Sequence, residues 1–142
     1  MARNTIHNKT LQDLEFDTVL EQLSSRCNTE LGKERALSIK PLPDTETVKC
    51  ILGQTSEYLS SLISDNRIPN HGFDSINADL KLLTIENTTL EISGFRRIGN
   101  ICKTVAEHKK FFKKFKEYFP LLFEASSEIQ VNTEIPDFID RV

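Results

Sequence analysis

Apolar residues recur every three to four positions along most of the chain, which is the period of an amphipathic α-helix. The clearest case follows Asp44, where the stripe continues over four turns with polar residues opposite. Its positions are Val48, Ile51, Leu52, Thr55, Leu59, Leu62 and Ile63. Two-residue alternation is nearly absent, so a sizeable sheet is not expected. The pattern predicts an all-α chain with short connections and bundle-like packing.

The first helix is expected to begin near Thr10, a residue type that caps helix N-termini. Its apolar stripe covers 16–27. A second, short helix is capped by Asn28 or Thr29 and stops before Pro41, because the residue preceding proline is pushed out of the α region.

The apolar pattern in the second half of the chain predicts further helices, which are separated by short polar segments. Residues 64–72 form a loop by composition. Helices are expected over about 74–85, from a cap at Ser93 to Pro120, and over 121–129. The last dozen residues are acidic and predict a linker, or a piece of core whose partner is absent.

Composition sets the class of protein. The chain has 142 residues, 38% of them hydrophobic, with five Gly and five Pro. This length suits one domain over 1–142, with 1–9 and 130–142 expected to be flexible. No apolar run is long enough to span a membrane, and the N-terminus lacks the apolar stretch of a signal peptide. A cytoplasmic protein without a membrane partner is therefore expected.

Reactive motifs are missing from the sequence. No G-x-x-x-x-G-K-[ST] loop exists to cradle phosphates, and Gly94 and Gly99 lie inside a helical stretch. The cysteines lack C-x-x-C spacing and are expected to be buried; they are Cys27, Cys50 and Cys102. The histidines belong to no catalytic motif and are expected on the surface; they are His7, His71 and His108. We predict no catalytic, cofactor-binding or metal-binding residue.

The charge of −3 is distributed unevenly. Residues 96–116 carry eight Lys and Arg against one acidic residue, whereas acidic residues dominate on both sides. Basic residues interleaved with aromatics can contact phosphates and stack on bases. The candidate nucleic-acid contacts are Arg96, Arg97, Lys109, Lys110, Lys113, Lys114 and Lys116.

Plain amphipathic packing explains the same segment and is the favoured interpretation. On a helix, Phe112, Phe115 and Phe119 fall on one face and most of the lysines on others. The phenylalanines then form a core stripe while the lysines stay in water. A basic amphipathic helix could also dock on a partner or an anionic membrane.

Residues 9–63 resemble the N-terminal segment of the second bacterial MutS paralogue, and a weaker resemblance continues in register to about residue 115. The resemblance is carried by 9–11, Leu14-Glu15-Phe16-Asp17, 19–23, Thr29-Glu30-Leu31-Gly32-Lys33-Glu34-Arg35-Ala36-Leu37 and Lys40-Pro41. The next helix fits in position and type at Glu46, Val48, Thr55 and Glu57. The chain departs from the family's pattern at 71–80, where the family's arginine and proline are replaced.

This resemblance implies a helical core and lever segment that links a nucleic-acid clamp to a downstream ATPase. The full-length protein would be a homodimeric, DNA-binding ATPase acting in mismatch repair or recombination control. ATP and Mg²⁺ would bind only there, and a nuclease-like small-MutS-related domain would follow. Double-stranded or branched DNA, the ribosome or RNA would be its targets. No functional residue of the family maps onto this chain.

Two alternatives remain open from sequence. The chain could be a stand-alone helical adaptor with an apolar groove, or a weak nucleic-acid-binding module that uses 96–116. The tail over 138–142 discriminates the first alternative. It should dock on its own domain in a complete adaptor. In a segment of a larger protein it should be poorly ordered or should pair with a symmetry-related copy.

Overall fold

The computed structural model describes residues 6–42, 44–132 and 134–139, and within them the chain forms eight helices and no strand. The helices are α1 (Asn8–Asp13), α2 (Phe16–Ser25), α3 (Glu30–Leu37), α4 (Thr45–Ile63), α5 (Asn77–Leu83), α6 (Ile92–Lys114), α7 (Pro120–Ser127) and α8 (Glu134–Ile139). The predicted all-α class is confirmed. The chain divides into two compact units, residues 1–49 and 50–142. The single domain expected over 1–142 stays a prediction.

The first unit is built on the packing of α2 against α3. Leu20 of α2 and Ala36 of α3 are its buried apolar side chains among the described residues. The predicted cap at Thr29 is confirmed, because its Oγ1 accepts a hydrogen bond from the Gly32 N–H at 3.0 Å. This bond satisfies one of the four N–H groups that a helix leaves unpaired at its start.

The predicted first helix is in fact two helices. α1 ends at Asp13, and Glu15 adopts a left-handed conformation with φ of 50° before α2 begins at Phe16. Thr10 lies inside α1 and does not cap it. The prediction was wrong here because apolar spacing cannot reveal a single residue that leaves the right-handed region.

In the second unit, the carboxylate of Glu57 in α4 caps the N-terminus of α7. Its Oε1 accepts from the Leu121 N–H and its Oε2 from the Leu122 N–H, each at 2.9 Å. Pro120 is the first residue of α7 and has no N–H, so these are the first two donors of the helix. A Cβ on Gly53 would lie 2.4 Å from the Leu121 Cδ1, so glycine lets the two helices approach at this point.

This contact turns the polar side of α4 inward. Gly53, Glu57 and Ser61 lie four residues apart on one face, and Ser61 is only 1% exposed. The aliphatic stripe of the same helix is exposed instead, at Ile51, Leu52, Leu59, Leu62 and Ile63. The apolar stripe that predicts this helix therefore lies on its exposed side in the described structure. Apolar periodicity identifies a helix, but the pairing of Glu57 decides which face turns inward.

An ion pair joins α5 to α6. Arg97 donates from Nε to Asp79 Oδ2 at 2.9 Å and from Nη2 to Oδ1 at 2.6 Å. This hydrogen bonding lowers the pKa of Asp79 below its usual 3.8, and the carboxylate raises the pKa of Arg97. A Cβ on Gly94 would lie 2.8 Å from Asp79 Oδ1, so this buried glycine makes room for the carboxylate. The close glycines of α6 thus serve packing.

The boundaries of α6 differ from the prediction at both ends. The helix begins at Ile92, with Glu91 at the cap position, so Ser93 is inside it. It ends at Lys114, and a turn brings the chain to Phe119, which is 2% exposed. Pro120 starts α7, and this helix matches the element predicted over 121–129. The predicted single stripe to Phe119 is wrong, although Phe112 and Phe119 are both buried.

Part of the predicted terminal linker is helical. α8 packs against α6, where Gly99 of α6 is buried and a Cβ on it would lie 3.4 Å from the Ile139 Cδ1. Pro136 lies in the first turn of α8, where its missing N–H costs no hydrogen bond. The loop predicted over 64–72 is confirmed and continues to 76.

Replacement of Glu57 by glutamine is expected to lower the free energy of unfolding by about 1–2 kcal/mol, because one amide oxygen cannot accept from both N–H groups and has no charge to favour the helix N-terminus. Urea unfolding measures the change. Glu124→Gln, at an exposed position of α7, is the control and should leave stability unchanged. Equal stability of both variants would show that Glu57 does not cap α7.

Replacement of Asp79 by asparagine is expected to lower stability near neutral pH, and the gap to the native chain should narrow in acid. The pKa of the folded carboxyl is lowered, so its contribution is present above the usual 3.8 and is lost as pH falls through the lowered value. Urea midpoints from about pH 7 to about pH 3 test this. A gap that is constant over this range would contradict the ion pair.

Candidate nucleic-acid interface

Helix α6 presents a line of polar, mostly charged side chains to solvent. Its exposed positions include Arg96, Asn100, Lys103, Glu107, Lys110 and Lys114. These recur at i, i+4, i+7, i+11, i+14 and i+18, which places them along one side of the helix. The line is about 27 Å long. We name the four cations among them, Arg96, Lys103, Lys110 and Lys114, the basic face.

Two of the predicted contact residues point elsewhere. Arg97 is bound to Asp79 through two hydrogen bonds. Lys109 donates from Nζ to the Ser127 carbonyl at 3.5 Å and also to the Ile129 carbonyl, at the C-terminal end of α7. A lysine is favoured there because the C-terminus of a helix carries partial negative charge. Both residues therefore hold helices together.

The other predicted cations remain at the surface. Lys113 is exposed beside the basic face, and Lys116 is exposed in the turn that follows α6. Lys114 Nζ lies 4.9 Å from the centre of the Phe115 ring, which is within the range of a cation–π interaction. The Lys114 side chain is nevertheless exposed. Lys103 was absent from the predicted set. Its spacing of seven residues from both Arg96 and Lys110 is the signal that could have found it.

The aromatic residues between these cations pack on one another. Phe111 stacks on Phe119 at 5.8 Å between ring centres and meets Phe115 at 4.8 Å. Phe112 meets Phe119 edge to face at 6.5 Å. These four phenylalanine rings are thus occupied within this cluster, whereas the ring of Tyr118 is 67% exposed.

His108 was expected on a solvated face, and this is wrong. Its side chain is half-buried, and Nδ1 donates to the Thr104 carbonyl at 2.7 Å. Nε2 is buried without a partner among the described residues. The ring meets His71 at 6.1 Å, and His71 in turn accepts from or donates to the Tyr58 hydroxyl at 3.3 Å. These three side chains join α4, the loop and α6.

The cysteines are not all buried as expected. Cys50 is exposed, while Cys27 and Cys102 are half-buried, and all three are free thiols. Within the described ranges no group of three or more His, Cys, Asp and Glu side chains is arranged to hold a metal ion. Among the helices described, none is long and apolar enough to cross a membrane.

Comparison with known proteins gives a consistent set of relatives. The chain is 25% identical over 135 residues to the endonuclease MutS2 of Leuconostoc mesenteroides, covering 92% of this chain and 17% of that protein. It is 28% identical over 139 residues to the endonuclease MutS2 of a Geobacillus species, covering 96% and 18%. The endonuclease MutS2 of Ruminiclostridium cellulolyticum is 32% identical over 78 residues, covering 55% and 10%.

No family model matches the chain, and no solved structure matches it. The chain spans less than a fifth of the length of these curated relatives. The similarity nevertheless extends over nearly the whole chain. The predicted resemblance is therefore confirmed: this chain is related to a segment of the MutS2 proteins, consistent with the N-terminal segment of a MutS paralogue.

Proposed function

We propose that this chain is a non-catalytic helical core and lever segment of a MutS2-type protein. The observation that carries the proposal is similarity over 92–96% of the chain to proteins several times longer. A lever transmits movement by rigid-body displacement of helices. The cap of α7 by Glu57 and the ion pair between Asp79 and Arg97 support such rigidity inside the second unit.

The chemistry of the longer protein is proposed to lie outside these 142 residues. The relatives are named endonucleases, and the family resemblance adds an ATPase with ATP and Mg²⁺. The longer protein would be a cytoplasmic homodimer that acts on double-stranded or branched DNA, RNA or the ribosome, in mismatch repair or recombination control. In this chain we assign no catalytic, cofactor-binding or metal-binding residue.

The gene that encodes this chain tests the proposal. Its reading frame should continue past the codon for Val142 and encode G-x-x-x-x-G-K-[ST] several hundred residues later, because that loop binds the phosphates of ATP. A stop codon directly after Val142 would remove the lever function. A long open frame without the phosphate-binding loop would remove the ATPase.

The adaptor alternative is favoured by one observation. The tail was expected to dock on its own domain in a complete adaptor, and α8 does pack on α6. Residues 140–142 lie outside the described part. A groove of about 430 Å³ remains between the two helices, lined by Ile92, Phe95, Arg96, Phe138 and Ile139. Phe138 is 68% exposed, so docking leaves much apolar surface uncovered. We therefore retain the lever segment as the first proposal.

Nucleic-acid contact by α6 is the second candidate, and the basic face favours it. Arg96, Lys110 and Lys114 are exposed along one line of α6, and exposed cations of this kind contact the phosphates of nucleic acids. The contact should therefore be made to phosphates and should be blind to base sequence. Of the predicted residues, Arg96, Lys110, Lys113, Lys114 and Lys116 remain candidates.

Binding of a labelled duplex, followed by fluorescence anisotropy, is expected to weaken by roughly 100-fold between about 50 and 200 mM salt if about four phosphates are neutralised. Lys110→Gln with Lys114→Gln should reduce both the affinity and the salt dependence. The control neutralises two lysines of other helices that pair with acidic neighbours, Lys33 and Lys49, and should bind like the native chain. Binding that is insensitive to salt would contradict phosphate contact.

A further inference from the structure

The turn between α6 and α7 holds an aromatic ring in solvent. Tyr118 is 67% exposed, although its neighbour Phe119 is 2% exposed. The other large exposed aromatic side chains among the described residues are Phe95 and Phe138, and both line the apolar groove between α6 and α8. A single exposed aromatic residue is ordinary on a protein surface. What distinguishes Tyr118 is therefore the set of groups around it.

The Tyr118 ring is held in place by its neighbours. Its backbone N–H donates to the Phe115 carbonyl at 3.0 Å, and its ring meets the Phe115 ring edge to face at 6.4 Å. Phe115 in turn packs on Phe111, with 4.8 Å between the ring centres. A tyrosine ring restrained in this way loses little conformational entropy when a second flat group stacks on it. The α6–α7 turn thus offers a pre-positioned aromatic surface.

Cations surround this ring. Lys113, Lys114 and Lys116 are exposed within five positions of it along the chain. Lys114 Nζ lies 4.9 Å from the centre of the ring that meets Tyr118. Glu117 is the acidic side chain of the same stretch and is also exposed. Three lysines against one glutamate leave the turn positively charged, so it attracts an anion.

We propose that the α6–α7 turn binds a nucleic-acid single strand, with an unpaired base stacked on Tyr118 and the adjacent phosphates held by Lys113, Lys114 and Lys116. This rests on the second candidate function, phosphate contact by α6, and adds the kind of strand that is bound. In a duplex the neighbouring base pairs cover the faces of each base, so a protein ring stacks far more readily on an unpaired base. Stacking on an aromatic face tolerates every base, so the strand is bound without regard to its sequence.

Three ligands of equal length separate stacking from charge: oligodeoxythymidylate, the same strand without bases, and a duplex. All three carry phosphates, but only the first offers free base faces along its length. Measured by fluorescence anisotropy at about 50 mM salt, oligodeoxythymidylate should bind about tenfold more tightly than the abasic strand. Tyr118→Ala should remove this difference and leave the affinities for the abasic strand and the duplex unchanged. Tyr118→Phe is the matched control and should keep the difference, because its ring stacks in the same way.

Tyrosine fluorescence reports the stack directly, because the chain has two tyrosines and no tryptophan. In Tyr58→Phe the remaining tyrosine is Tyr118, so addition of oligodeoxythymidylate should quench the emission. The abasic strand should leave the emission unchanged. This readout needs no substitution at Tyr118 and therefore does not depend on how the turn tolerates one.

The outcomes separate the stack from the phosphate contact. Equal binding of the abasic strand and oligodeoxythymidylate, without quenching, would overturn the stack and leave phosphate contact by α6 intact. A preference for the strand with bases that persists in Tyr118→Ala would also overturn it. If none of the three ligands binds at roughly 100 µM, both the stack and the phosphate contact fall. If the stack is observed, an oligouridylate of the same length tells whether an RNA or a DNA strand is preferred.

Discussion

The second unit depends on the pairing of one carboxylate with two backbone N–H groups. Glu57 is the sole charged residue in the central turns of α4, and both of its oxygens accept from the start of α7. Glu57 is half-buried, and these two hydrogen bonds hold this side of α4 toward α7. The aliphatic side of α4 then faces outward. One polar contact thereby decides both the packing of α7 and the surface that the unit presents.

The sequence predicts where the helices lie better than it predicts which face of each helix packs inward. Helical period and local caps identify α3 and α4, because Thr29 and Asp44 accept hydrogen bonds from N–H groups three residues ahead. The break at Glu15 and the early end of α6 at Lys114 have no apolar signal, since each depends on the conformation of a few residues. The inward face of α4 depends on a residue 64 positions away, which no local pattern reveals.

The candidate site shows the same limit. A net count of charge along the chain locates the basic band over 96–116, but it cannot separate cations in solvent from cations that hold helices together. Arg97 pairs with Asp79, and Lys109 pairs with the end of α7, because tertiary packing brings those acceptors close. Lys103 was missed although heptad spacing from Arg96 and Lys110 marks it. The spacing of charged residues around the helix is therefore more informative about this site than their number along the chain.

The most direct test of this account measures which side of α4 is exposed. Single cysteines would be placed at Leu59 and at Ser61, with the three native cysteines replaced by serine, and their rates of reaction with a maleimide compared in the folded chain. The account predicts rapid labelling at 59, where the native side chain is 57% exposed, and slow labelling at 61, where it is 1% exposed. The reverse order would place the aliphatic side in the core and contradict the central role of Glu57.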